Sequence, residues 1–164
     1  MGQRINIEKM TANLLAIKEI LDAHGIRFWL FGGTFLGAIR NRGFIVYDND
    51  SDLAIYHEDL PRLIGCEGDF VKAGFQTAKN DEFYMCIKDG EHTDIFYLHQ
   101  EARRWRKVYI DAQDCETYCD VDFLGTKWRV FNNPQKWLSY MYGFDWQVPY
   151  EERGLGEGVP FGKK

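Results

Sequence analysis

The stretch "FGGTFLGAIRNRGFIVYDNDSDLAIY" at residues 31–56 decides the fold. It begins at the end of an aromatic strand candidate, which the glycine pair Gly32-Gly33 interrupts. Residues 34–40 then have the composition of a short helix, and residues 51–56 return to the apolar composition of a strand. The stretch therefore predicts a strand, a tight turn, a helix and a second strand that begins among acidic residues.

The rest of the chain predicts further helices and strands. Residues 6–24 place apolar side chains at three- and four-residue steps, which predicts an amphipathic helix that Gly25 ends. Strands are predicted at residues 27–31, 82–89, 93–100, 105–111 and 127–133, two short helices or turns at 57–75, and a helix that starts at Pro134 and ends at Gly143. The strands between 82 and 111 are expected to form a meander whose first link is "GEH". We expect a single α+β domain over residues 1–164, with helices packed on a mixed β-sheet.

The composition excludes some classes of protein. The chain has 164 residues, of which 45% are hydrophobic and 16% aromatic, enough for one ring-rich core. The net charge is −5 and there is no long basic run, which argues against binding to nucleic acid. No apolar stretch is long enough for a transmembrane segment, and the N-terminus lacks the apolar region of a signal peptide. We therefore expect a cytoplasmic protein.

The cysteine pattern assigns no function. The spacing of the four cysteines, Cys66, Cys86, Cys115 and Cys119, matches no standard zinc motif. Free thiols in a reducing compartment are expected, and a disulfide or zinc clip between Cys115 and Cys119 is the alternative.

The glycine turn has the features of a phosphate site. Gly32 and Gly33 allow the backbone to turn tightly and to approach a ligand closely. The following helix aims free N–H groups and its positive dipole end at that turn, and Thr34 adds a hydroxyl. A plain turn explains the same residues without any ligand.

The acids at the start of the second strand predict a metal site. Residues two apart on a strand point to the same face, so Asp50 and Asp52 present two carboxylates side by side. Such a pair repels unless a cation or a proton relieves it, and Mg²⁺ or Mn²⁺ suits oxygen ligands that also bind phosphate. The alternative is a solvated acidic loop.

A third carboxylate is expected from a neighbouring strand. Asp94 is a lone acid within an apolar, aromatic strand, where an unpaired charge is costly. Asp120 and Asp122 also alternate, but no glycine turn precedes them, and we interpret them as surface acids.

Three segments together resemble the LicD family, which includes fukutin and the fukutin-related protein. "WLFGGTFLGAIRNRGFIVYDNDSDLAI" is similar to the family's Gly-Gly-Thr and Asp-x-Asp motifs, and "TDIFYL" to its acid-bearing strand. "YMYGFDWQVP" at 140–149 resembles its closing Tyr-Gly-x-x-Trp-x-x-Pro segment, so the resemblance covers most of residues 25–149. It implies a nucleotidyltransferase-like fold.

The resemblance also implies a reaction and its site residues. Family members transfer a phosphorylated alcohol, such as phosphocholine or ribitol phosphate, from a CDP-linked donor to a glycan hydroxyl. The residues that match the phosphate turn are Gly32, Gly33 and Thr34, and those that match the metal-binding and catalytic acids are Asp50, Asp52 and Asp94.

This chain departs from the family pattern at three places. Val46-Tyr47 replaces Pro-Trp, Asn49 replaces an Asp, and Ser51 replaces a hydrophobic residue between the two metal acids. These changes keep the acid pair but are expected to alter the donor pocket.

Other side chains are secondary candidates. Arg40 and Arg42 are candidate phosphate ligands, because guanidinium groups pair well with phosphate oxygens. Tyr142 and Trp146 are interpreted as core residues rather than as a cage for a base or a quaternary ammonium group. His92 precedes Asp94 and is interpreted as a turn residue rather than as an acid or base.

The sequence thus favours a metal-dependent phosphotransferase that uses Mg²⁺ or Mn²⁺ and releases CMP. A true nucleotidyltransferase, which moves NMP from an NTP to a hydroxyl, uses the same turn and acids. A non-catalytic nucleotide-binding relative is a third interpretation.

Overall fold

The computed structural model describes residues 4–99, 103–105 and 108–149. Within these ranges the helices are α1 (Ile7–Ala23), α2 (Gly32–Arg40), α3 (Leu60–Gly65), α4 (Glu67–Lys72), α5 (Ala112–Glu116) and α6 (Pro134–Tyr142). The strands in the same ranges are β1 (Phe28–Leu30), β2 (Ser51–Tyr56), β3 (Gln76–Lys79), β4 (Phe83–Lys88), β5 (Glu91–Leu98), β6 (Arg104–Trp105), β7 (Val108–Tyr109), β8 (Cys119–Phe123) and β9 (Thr126–Val130).

The central sheet is mixed, as predicted. Its strand order is β1-β2-β5-β4-β3. β2 and β5 are parallel, and every other neighbouring pair in this sheet is antiparallel. Two parallel strands need a long crossover connection, and here it contains α3, α4 and the β3–β4 hairpin. The predicted α+β class is confirmed.

Helix α1 covers one face of the central sheet. Its buried side chains recur at three- and four-residue steps and are Met10, Asn13, Leu14, Ile17 and Leu21. The Asn6 side chain caps the helix by accepting a hydrogen bond from the Lys9 N–H at 3.1 Å. The Ser51 hydroxyl lies on the same side, 3.2 Å from Met10 Sδ and 2.8 Å from Thr93 Oγ1. The predicted amphipathic helix is therefore present and forms one layer of the fold.

Aromatic rings fill the opposite side of the sheet. Phe31 lies 5.6 Å from Phe96 and 6.2 Å from Phe131, measured between ring centroids. Phe131 is also 6.1 Å from Trp29 and 5.9 Å from Phe35. These ring contacts join β1, α2 and β5 to the chain that follows β9, which explains the high aromatic content. Asp52 and Asp94 lie on this ring-bearing side, because successive strand residues alternate between faces.

Three local predictions were wrong. In the described part of the predicted strand at 105–111, β6 and β7 pair with each other in a separate two-stranded sheet and do not extend the central sheet; residues 106 and 107 lie outside the described residues. The turn between β4 and β5 is Asp89-Gly90, where φ is 55° and 81°. His92 therefore lies within β5 rather than in a turn.

The second small sheet agrees with the interpretation of its acids. β8 pairs with β9 in antiparallel register, outside the central sheet. Asp120 and Asp122 are exposed on β8, and Asp122 forms a surface ion pair with Lys127 at 2.7 Å. They are surface acids, as predicted.

All four cysteines are free thiols. Cys115 is buried in α5, and burial raises the pKa of its thiol to about 12. Cys119 lies on β8, with its Sγ 3.3 Å from Asn132 Oδ1. The predicted free thiols are thus observed, and the alternative disulfide is not, whereas the alternative zinc clip stays a hypothesis. Among the described residues, no helix is both long and apolar enough to cross a membrane.

A buried carboxylate fixes the start of α6. Asp114 accepts hydrogen bonds from the Trp137 indole N–H at 2.9 Å, the Asn133 amide at 3.0 Å and Lys136 Nζ at 3.2 Å. Asn133 has a left-handed backbone conformation, with φ of 56°. The carboxylate therefore holds a strained helix start in place, and α6 carries Tyr142 at its other end.

Asp114→Ala is expected to lower the free energy of unfolding by about 2–3 kcal/mol. The substitution leaves the buried Trp137 N–H without its charged acceptor, which is the costly way to lose a hydrogen bond. Urea unfolding measures the change. The matched control is Asp120→Ala at an exposed position, which should shift stability by less than about 0.5 kcal/mol. Equal stability of the two variants would contradict the anchoring role.

Candidate metal and phosphate site

The parallel pair β2–β5 brings the predicted acids together. Asp52 lies directly opposite Asp94 in the register, so both carboxylates project from the same face. Both side chains are buried, with residue exposures of 6% and 9%. Asp50 precedes β2 by one residue and shares this face with Asp52. Asp94 thus lies on a strand that neighbours Asp52, and its role as the third site carboxylate stays a prediction.

His92 joins this group, which the sequence analysis did not predict. It lies two residues before Asp94 on β5, and its Nε2 is 3.8 Å from Asp50 Oδ2. Asp50, His92 and Asp94 each offer one ligand atom, and these three atoms lie within 4.8 Å of one another. The signal was present in the sequence, since His92-x-Asp94 has the same alternate spacing as Asp50-x-Asp52.

The glycine turn packs directly against the acids. Gly32 is the first residue of α2 and has a φ of 50°, in the left-handed region that favours glycine. A Cβ atom at Gly32 would lie 2.5 Å from Asp52 Oδ2, so any other residue would force the carboxylate to shift. The steric requirement for glycine is therefore at Gly32, and it comes from the carboxylate.

Thr34 connects the first turn of α2 to β2. Its Oγ1 accepts a hydrogen bond from the Asp52 backbone N–H at 2.8 Å, and both residues are buried. The turn and the acid are thus held at a fixed separation. The start of α2 also directs the free N–H groups of its first turn to this region, next to the carboxylates.

A buried tyrosine and a fourth acid border the site. Burial, followed by the charges of Asp52 and Asp48, raises the pKa of the Tyr142 hydroxyl well above its usual range. The charge of Arg40 lowers the pKa of this hydroxyl, whereas the charge of Asp50 raises it. Asp48 is buried and was missed by the sequence analysis, although it continues the alternation of Asp50 and Asp52.

The two candidate arginines differ in position. Arg40, in the last turn of α2, donates hydrogen bonds to the Trp146 carbonyl at 3.3 Å and to Asn41 Oδ1 at 2.7 Å. Its charge reaches Tyr142 and therefore the acid group. Arg42 is exposed in the following turn, with φ of 54°. Trp146 is buried, as Tyr142 is, so both belong to the core as predicted.

The residues present fit a divalent cation. Asp50, His92 and Asp94 place ligand atoms within 4.8 Å of one another, and Asp52 lies opposite Asp94 in the register. Buried like charges at short range are unfavourable without a counter-ion. Carboxylate oxygens are the donors that Mg²⁺ and Mn²⁺ prefer.

A family model confirms the resemblance. The nucleotidyltransferase domain described as LicD/FKTN/FKRP matches residues 25–141, which include the glycine turn and every acid of the site. The chain belongs to the LicD family. This LicD chain is 36% identical over 144 residues to the mouse protein named ribitol 5-phosphate transferase FKRP, covering 76% of the chain and 29% of that relative.

Two further relatives show the same partial coverage. The mouse ribitol-5-phosphate transferase FKTN is 29% identical, covering 82% of the LicD chain and 32% of the relative. An uncharacterised protein of Rickettsia typhi is also 29% identical, covering 70% of the chain and 37% of the relative. The LicD chain thus spans about a third of the length of these relatives.

Solved structures agree with the fold. The antibiotic-resistance factor ANT(2'')-Ia superposes with a TM-score of 0.59 at 16% identity, over 87% of this chain and 75% of the other. The lincosamide antibiotic adenylyltransferase LnuA gives a TM-score of 0.54 at 11% identity, over 74% of this chain and 79% of the other. At these identities the likeness shows a shared nucleotidyltransferase-like fold.

Two of the departures from the LicD pattern, Ser51 and Val46-Tyr47, can be placed in the structure. The Ser51 side chain points to the α1 side of the sheet, opposite to Asp52, and bonds with Thr93. Val46 and Tyr47 are exposed, at 60% and 58%. The expected effect on a donor pocket stays a prediction.

Proposed function

We propose that this LicD chain transfers a phosphorylated alcohol from a CDP-linked donor to a glycan hydroxyl, with release of CMP. The observation that carries the proposal is the contact between the Gly32 turn and the buried Asp52, directly opposite Asp94. This contact joins a backbone suited to phosphate with carboxylates suited to a cation. The names of the FKRP and FKTN relatives support the transferred group, such as ribitol phosphate, with phosphocholine as the other member of the class.

The proposal assigns a role to each part of the site. Gly32, Gly33 and the first turn of α2 would bind donor phosphate oxygens through backbone N–H groups, with Arg40 and Arg42 as side-chain ligands. Asp50, Asp52 and Asp94 would hold Mg²⁺ or Mn²⁺. Such a cation, when bound, offsets negative charge on the phosphate and on the leaving group. We further propose that residues 1–164 form one domain that contains this whole site.

Asp94 is proposed as the group that accepts the proton of the attacking hydroxyl. It is buried and lies directly opposite Asp52 in the register. The acceptor oxygen forms a bond to the phosphorus distal to cytidine, and the bond from that phosphorus to the bridging oxygen breaks. CMP leaves with that electron pair, and the acceptor keeps a phosphodiester.

The products test the proposal. With Mn²⁺ or Mg²⁺, CDP-ribitol or CDP-choline and a glycan acceptor, ³¹P NMR should show stoichiometric CMP and a new phosphodiester. ATP and CTP should give little pyrophosphate under the same conditions. If an NTP is consumed with stoichiometric pyrophosphate and the acceptor gains a nucleotide, the chain is a true nucleotidyltransferase. Absence of turnover with every donor would favour a non-catalytic relative.

A further inference from the structure

We propose that His92 is a nitrogen ligand to the cation of this site, and that it makes the site prefer Mn²⁺ to Mg²⁺. The inference rests on the proposed function, because it needs the acid group to bind a metal. It adds a ligand that the oxygen-only set of Asp50, Asp52 and Asp94 does not contain.

The first argument is the position of His92 on β5. In the parallel register Ser51 faces Thr93 and Asp52 faces Asp94, so one step earlier Asp50 lies beside His92. His92 and Asp94 share a face because they are two residues apart on the strand. Two strands therefore contribute two side chains each to one face, and three of the four were assigned to a metal from the sequence.

The second argument is the distance between His92 and Asp50. The His92 Nε2 to Asp50 Oδ2 separation of 3.8 Å is too long for a hydrogen bond. Two ligands held about 2.1 Å from one ion can be up to about 4.2 Å apart, so the separation matches two ligands of a shared ion. Asp94 supplies a third donor within the same small region.

The third argument is the gradient of exposure across these three residues. The side chains of His92 and Asp50 are 36% and 22% exposed, whereas Asp94 is buried. The pair lies at the solvent edge and Asp94 lies at the base. A cation can therefore reach the group from solvent and be held between an outer nitrogen–oxygen pair and an inner carboxylate.

The chemistry of the donors then sets the preference among metals. Mg²⁺ takes oxygen ligands in near-ideal octahedral geometry and dehydrates reluctantly. An imidazole nitrogen favours first-row transition metals over Mg²⁺, and carboxylates suit Mn²⁺ well. A mixed set of one imidazole and two carboxylates is consequently matched to Mn²⁺.

Mn²⁺ itself is the probe for the test. Pulsed EPR of the Mn²⁺-loaded protein should show coupling to a ¹⁴N nucleus, and this signal should disappear in His92→Asn and in His92→Gln. Calorimetry should show that either variant loses about tenfold or more in Mn²⁺ affinity, because removal of a ligand should cost at least as much as a change to a group that only orients a ligand. The Mg²⁺ affinity should change less. The control is His24→Asn. His24 is exposed, lies just after the end of α1 and pairs with Asp69. This variant should retain both the ¹⁴N coupling and the Mn²⁺ affinity.

The outcomes separate this inference from the proposed function. Mn²⁺ bound to the wild-type protein without ¹⁴N coupling would overturn the role of His92 and leave the carboxylate site standing. Persistence of the ¹⁴N coupling in both His92 variants would also overturn the role of His92 as a ligand and leave the carboxylate site standing. Failure of the wild-type protein to bind either ion would contradict both proposals.

Discussion

Asp52→Asn is expected to lower the rate of phosphoryl-alcohol transfer by about 10²–10³-fold or more, with little change in stability. Asp52 is buried, lies opposite Asp94, and contacts the Gly32 turn. The amide keeps the shape of the side chain but removes the charge that a cation needs. Asp50→Asn is expected to act in the same direction, with a smaller loss because Asp50 lies nearer to solvent.

The measurement for these variants pairs initial rates with melting temperature. Asp122→Asn is the matched control, because Asp122 is an exposed acid on β8 whose ion pair with Lys127 is highly exposed on both sides. It should leave both quantities unchanged. A folded Asp52→Asn variant that turns over at the wild-type rate would refute the site.

Gly32→Ala is expected to damage stability and catalysis together. The left-handed backbone at φ of 50° costs a non-glycine residue about 1–3 kcal/mol. The added Cβ would also lie 2.5 Å from Asp52 Oδ2, so the carboxylate must move. Displacement of a reacting group by about 1 Å costs roughly 10²-fold in rate. Urea unfolding and initial rates on the same preparation measure both effects.

Gly68→Ala is the control for the glycine substitution. Gly68 lies in α4, its φ is not in the left-handed region, and a Cβ there meets nothing within 4 Å. Alanine in a helix should raise stability by about 0.5–1 kcal/mol and leave the rate unchanged. If Gly32→Ala retains the wild-type rate, the contact between the turn and the acid has no catalytic role.

Most of the fold was predictable because its signals are local. The apolar period of α1, the glycine pair before α2 and the Pro134 start of α6 each specify their element within a few residues. The position of Asp94 beside the other acids was also predictable, since a lone acid in an apolar strand is costly unless it is paired or binds a metal.

The remaining features depend on contacts that one sequence does not reveal. Strand partners are set by packing, so nothing local separates β6–β7 from the central sheet. His92 was assigned to a turn because Gly90 lies two residues before it, and the register with β2 decides otherwise. Asp48 and Tyr142 are far apart in the sequence, and the effect of the Asp48 charge on the Tyr142 pKa follows from the tertiary fold.

The crossover between β2 and β5 also decides when the site can exist during folding. Asp52 and Asp94 are opposite each other in register but are separated by α3, α4 and the β3–β4 hairpin along the chain. Closing such a loop costs entropy before any contact between the two strands forms, so this pairing is slow compared with helix formation. A ligand that contacts both strands has no binding site in the unfolded chain. Its binding free energy therefore adds directly to the stability of the native state, and the melting temperature rises with its concentration.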